Sequence, residues 1–192
     1  MILLDPDLEP DPAPSMASTE RTTALGTSAT PRSHRLPSAR TLARFLSQAQ
    51  AAIRLRGEVT VLLTTDAAIR ILNRRFRDKN KATDVLSFPA DGIGAEEIAG
   101  DLAISVPTAL RQAVEQNHSL SIEIKVLILH GLLHLAGHDH EDDEGMMARR
   151  ERQFRVKLNL PQGLIERAQD GVAQVSHSRP GKPQTHKRGA KP

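Results

Sequence analysis

Residues 121–140 read SIEIKVLILHGLLHLAGHDH. From Ser121 to Ala136 the stretch is apolar enough for a helix buried on most sides, and Gly137 is a natural left-handed stop at its end. Such a helix lies inside a fold, so the flanking segments are read for what surrounds it. Four of the eight histidines also fall here, as His130, His134, His138 and His140.

Working outward, Leu42, Phe45, Leu46, Ala49 and Ile53 recur at helical spacing and predict an amphipathic helix over 39–55. Residues 58–64, EVTVLLT, predict a strand. Asp66 then offers an N-cap for a helix with Ile69 and Leu72 on one face. Asp84 to Phe88 predicts a second strand stopped by Pro89, and Ile98 to Val106 a third. Gly92 and Gly94 lie in the short connection between these two, which favours antiparallel pairing. Pro107 is placed to open a helix. A charged amphipathic helix over about 142–158 is followed by Pro161. About five helices and a small sheet in this order predict an α+β fold.

The ends differ in character. Residues 1–20 carry five acidic and no basic side chains, and residues 171–192 carry five basic and no acidic ones. Half of the twelve prolines precede residue 40, mixed with Ser, Thr and Ala, a composition suited to a flexible segment. The expected organisation is a mostly flexible segment over 1–37, with a short first strand at 2–4, one domain over 38–165 and a basic tail over 166–192. The chain has no cysteine, which excludes disulfides, thiolate metal sites and thiol nucleophiles. Its longest apolar runs fall far short of the ~20 residues that span a bilayer, so the expectation is a cytoplasmic protein with no membrane partner.

Histidines four apart lie on one helical face, and imidazoles at that spacing can hold one ion at ~2.0–2.1 Å. On a continued helix His138 would sit ~12 Å beyond His130, too far to share the ion. A reversal at Gly137 instead lets His140 swing back. The predicted ligands are therefore His130, His134 and His140, with a fourth position left for water, as in catalytic rather than closed structural sites. In HExxH proteases the residue after the first histidine is the general base. Gly131 stands there and has no side chain, which argues against that chemistry.

Residues 70–81, RILNRRFRDKNK, hold six basic side chains against Asp78 alone. A solvated helix end accounts for part of this, since helix C-termini favour cations. Arginine also suits bidentate phosphate contacts and developing phosphoryl charge, and binding of that kind weakens with salt. Phe76 is placed to stack on a base, although four Phe with no Trp or Tyr make an extended aromatic platform a poor expectation.

Three separated stretches, residues 130–140, residues 72–89 and Gly100-Asp101 through Ile104, together resemble the YbeY family of bacterial rRNA maturation factors, metal-dependent endoribonucleases. The resemblance spans roughly Glu58 to Leu160. It implies a small mixed sheet packed with helices, and one Zn2+ held by His130, His134 and His140 at the end of the buried helix. It implies Arg77 as the functional arginine of the basic stretch; the charge of that stretch itself makes Arg74, Arg75, Lys79 and Lys81 candidate RNA contacts. The implied substrate is single-stranded RNA, with a role in maturing the 3′ end of small-subunit (16S) rRNA and in ribosome quality control. The implied partners are the small ribosomal subunit and its assembly factors. Three departures stand out: Ala82 replaces a usual proline, His138 stands where tyrosine is common, and a Pro/Ser-rich insertion follows Ile2 to Leu4. Asp84, Asp101 and Asp139 are candidate partners for ligand imidazoles, and each is equally plausible as a cap or turn residue. Two alternatives are carried: a non-catalytic RNA-binding assembly factor with a structural metal, and a metalloprotease.

Overall fold

In the computed structural model the described residues are 1–8, 34–90, 97–138 and 145–162. They form β1 (Ile2–Leu4), α1 (Ala39–Ile53), β2 (Glu58–Thr64), α2 (Asp66–Arg77), β3 (Val85–Pro89), β4 (Ile98–Ser105), α3 (Val106–Glu115), α4 (Leu120–Leu135) and α5 (Met146–Lys157). The expected α+β class holds. The strands form one mixed sheet in the order β1-β2-β4-β3. β1 and β4 run parallel to β2, while β3 is antiparallel to β4, with Val85 opposite Ile104 and Phe88 opposite Asp101.

Strand side chains alternate between faces, and that alternation sorts the helices. Val59, Val61 and Leu63 of β2, Val85 of β3, and Leu102 and Ile104 of β4 pack into one large core with α1, α3, α4 and Met147 of α5. The intervening Leu86 and Ala103 face the other way, against Ile69 of α2. Helix α4 is the centre of the larger core, with Ile124, Leu127, Ile128, Leu129 and Leu132 all inaccessible to solvent.

Several local details depart from the expectation. Thr65, not Asp66, caps α2, its Oγ1 accepting from Ala68 N at 3.2 Å. The Asp66 carboxylate turns instead to α3, accepting from Ser105 Oγ, Thr108 Oγ1 and Arg111 Nη2. Pro89 does not stop β3 but is its last residue. It is tolerated because β3 is an edge strand, where a missing N–H is harmless. Pro107, by contrast, stands in the first turn of α3 as expected, behind the Ser105 cap. The stretch after α2 is pinned despite Ala82: Lys79 N donates to Asn73 O, Asn73 Nδ2 to Lys81 O at 2.8 Å, and Arg70 Nε to Asn80 Oδ1 at 2.9 Å. Among the described residues no helix is long and apolar enough to cross a membrane.

Candidate metal centre and its cationic rim

His130 and His134 sit one turn apart on α4 and are nearly inaccessible, at 3% and 1% exposure. Their Nε2 atoms face each other at 3.3 Å, with the rings edge to face. Two bare lone pairs at that separation repel, so the pair calls for a proton or a cation between them. With bonds of ~2.0–2.1 Å, a separation of 3.3 Å subtends about 107° at an ion, close to the tetrahedral angle. The donors therefore fit a metal such as zinc. No group of three or more His, Cys, Asp or Glu side chains comes together for a metal among the described residues. The expected third ligand, His140, lies outside them, as does Asp139.

The helix ends as the glycine foretold. Gly137 adopts φ +83°. Its N–H donates to His134 O and that of His138 to Leu133 O, the paired bonds of a Schellman turn. His138 Nε2 meets Arg150 Nη1 at 3.2 Å on the exposed side. The glycine that follows His130 has a packing reason. A Cβ on Gly131 would stand 2.7 Å from Leu102 Cδ2 and 3.2 Å from Ser87 Oγ. A side chain there would be driven into the sheet, so position 131 could not present a glutamate to a metal held by its neighbours.

Glu151 of α5 completes the pair and is the site residue that sequence reasoning missed. Its Oε2 meets His130 Nδ1 at 2.7 Å. Its Oε1 accepts from Arg155 Nε at 2.8 Å and from Arg155 Nη2. Arg155 Nη1 also donates to Pro161 O at 3.2 Å. Burial alone would raise the Glu151 carboxyl, but the hydrogen bond and charge of His130 and those of Arg155 outweigh it and bring it down to about 2. The only signal in the sequence was a Met147, Glu151, Arg155 stripe at i, i+4 spacing, which reads equally well as a solvated face.

The other expected imidazole partners are placed elsewhere. Asp84 joins the start of β3 to α3, its Oδ1 accepting from Val85 N at 2.8 Å and its Oδ2 from Gln112 Nε2 at 3.0 Å. Asp101 is exposed between Gly100 and Leu102. Those two neighbours face α4, so alternation turns Asp101 to the α2 side.

Helices α2 and α4 lie on opposite faces of the sheet but finish at the same end of it. Phe76 of α2 packs edge to face on Phe88, with centroids 5.2 Å apart. A Cβ on Gly100, the residue opposite Pro89 in the β3–β4 pairing, would meet Leu135 of α4 at 2.9 Å. The last turn of α2, with Arg74, Arg75 and half-buried Arg77, is thus brought to the sheet end where the histidine helix terminates, and exposed Lys79 and Lys81 follow it. The Arg75 guanidinium lies 5.3 Å from the Phe76 ring centroid. A separate cleft of about 250 Å³, lined by Thr41, Phe45, Lys125 and Leu160 among others, contains none of these groups.

The family profile of endoribonuclease YbeY matches residues 31–159. A Koribacter versatilis protein named endoribonuclease YbeY is 55% identical over 130 residues, covering 68% of this chain and 84% of that protein. Its namesake from Solibacter usitatus is 52% identical over 126 residues, covering 66% and 83%. One from Helicobacter pylori is 42% identical over 112 residues, covering 58% and 79%. The solution structure of a Thermotoga maritima protein aligns at 27% identity with a TM-score of 0.47, covering 62% of this chain and 79% of that one.

Proposed function

Because this chain belongs to the endoribonuclease YbeY family, we propose that it is a metal-dependent endoribonuclease hydrolysing phosphodiester bonds of single-stranded RNA. Its cofactor is one Zn2+ held by His130, His134 and His140. Its substrate is the 3′ end of small-subunit rRNA, and its partners are the small ribosomal subunit and the factors that assemble it. The observation that carries this reading is the convergence of the two facing imidazole nitrogens and the arginine-bearing end of α2 at one end of the sheet.

When bound, the ion supplies Lewis-acid polarisation of a phosphoryl oxygen and a more acidic water. The chain's own groups do the rest. His130 and His134 hold their Nε2 atoms in register without side-chain rearrangement, because both rings are buried. Arg77 stabilises the negative charge that builds on the phosphoryl oxygens as the bond to the leaving oxygen breaks. Arg74, Arg75, Lys79 and Lys81 hold flanking phosphates. Those contacts are electrostatic, so binding weakens steeply as salt is raised.

The test is incubation of the zinc-loaded protein with labelled single-stranded RNA and, separately, with casein. Wild type is expected to cut RNA alone. His134→Ala should lose the metal and all cleavage. Arg77→Ala should keep the metal and lose roughly 10²–10³-fold in rate, the usual effect of removing one charge-stabilising donor. Full nuclease activity in His134→Ala, or cleavage of casein, overturns the proposal.

A further inference from the structure

We infer that Glu151 is the positioning residue of this centre: it holds the Nδ1 proton of His130, and thereby keeps Nε2 of that ring as the donor aimed beside His134. The inference deepens the metal-dependent reading above and rests on it.

Three observations carry it. The contact is short and buried, with Oε2 2.7 Å from His130 Nδ1. A carboxylate is acceptor-only when ionised, so the ring nitrogen facing it bears the proton and the other is left for a ligand. The carboxylate is itself held, because Arg155 occupies Oε1 with two of its donors and reaches Pro161 O with a third nitrogen. Finally, stability is a poor reason for the pair to exist. Taking both charges out of water costs about as much as their attraction returns, and apolar residues of similar volume often do as well or better. A charged helix that buries Glu and Arg beside a metal-ligating imidazole is better explained by what the imidazole must do.

Replacing Glu151 with glutamine exposes the logic. Glutamine keeps the shape but offers one acceptor oxygen and one NH2 group. Arg155 presents two donors to that oxygen, so the NH2 is left pointing at His130 Nδ1. There it favours the ring form with its proton on Nε2, the atom needed by the metal. Removing the arginine as well lets the amide rotate and present its oxygen to His130 again.

The experiment measures Zn2+ affinity by competition with a chromogenic chelator. Alongside it, the melting temperature and the imidazole ¹⁵N shifts of the metal-free protein are recorded. Four proteins are compared: wild type, Glu151→Gln, Arg155→Met and Glu151→Gln with Arg155→Met. Glu151→Gln should bind Zn2+ about 10–100-fold more weakly, with the proton gone from His130 Nδ1. Arg155→Met should melt lower and bind Zn2+ more weakly than wild type, because the carboxylate loses what holds it, yet more tightly than Glu151→Gln, because it still accepts from His130 Nδ1. The double variant should bind several-fold more tightly than Glu151→Gln although it has lost more contacts, a recovery that a purely structural role would not produce. Equal affinity in Glu151→Gln, or a double variant weaker than the single one, overturns the assignment while leaving the metal reading intact. A wild type that binds no Zn2+ overturns both.

Discussion

Helices α4 and α5 meet at His130 and Glu151, yet they are built on opposite principles. α4 is apolar on most sides, and Glu123, His130 and His134 are the polar exceptions within its buried surface. α5 is charged along most of its length and buries only Met147, Glu151 and Arg155, one residue per turn. Apolar content announces where a helix sits. In a charged helix the inward stripe is polar, and only the partner it meets distinguishes it from the solvated residues around it.

The widest gap between the two helices should come from truncating their apolar side chains. Leu127→Ala in α4 opens a cavity in a closed core and should cost about 2–5 kcal/mol, read by chemical denaturation. A loss below about 1 kcal/mol would mean that α4 is not the centre of packing. Next comes Gly131, the glycine between the two buried histidines. Gly131→Ala gains about 1 kcal/mol in helix propensity, but its methyl would stand 2.7 Å from Leu102 Cδ2, and overpacking costs about 1–3 kcal/mol. The net expectation is a destabilisation of up to about 2 kcal/mol, relieved when Leu102 is shortened to valine. A variant more stable than wild type would show that the helix can lift off the sheet freely. Smallest is Val156→Ala in α5, at a position 69% exposed, which should stay within about 0.5 kcal/mol; a larger loss would break the contrast.

The same contrast marks what the sequence made legible. Periodicity located α1, β2, β4 and α4 to within a residue or two, because each buries a continuous apolar face. Gly137 announced its turn because few other residues adopt that backbone cheaply. What escaped was decided by distant partners. The parallel seat of β1 beside β2 depends on a strand far along the chain. Asp66 gave up the cap expected of it because Ser105, Thr108 and Arg111 converge on its carboxylate. Of the site, the two buried histidines were readable from spacing, and Gly131 was read for the chemistry it lacks rather than for the close approach it permits. Glu151 was invisible, since nothing local separates it from the acidic and basic residues that flank it.

The seat of β1 has a consequence for how the molecule comes apart. Ile2 reaches its partner Val61 across the whole of α1 and the segment before it, whereas β3 and β4 are neighbours in the chain. Lengthening such a connection is cheap at equilibrium, about 0.6 kcal/mol per doubling, but a contact between distant residues is slow to form. Leu3 and Leu4 remain largely exposed, so little apolar surface retains the strand once its ladder opens. The outer strand is thus expected to join late and fray early, while β4 and β3, neighbours in the chain, stay paired beneath the histidine-bearing helix.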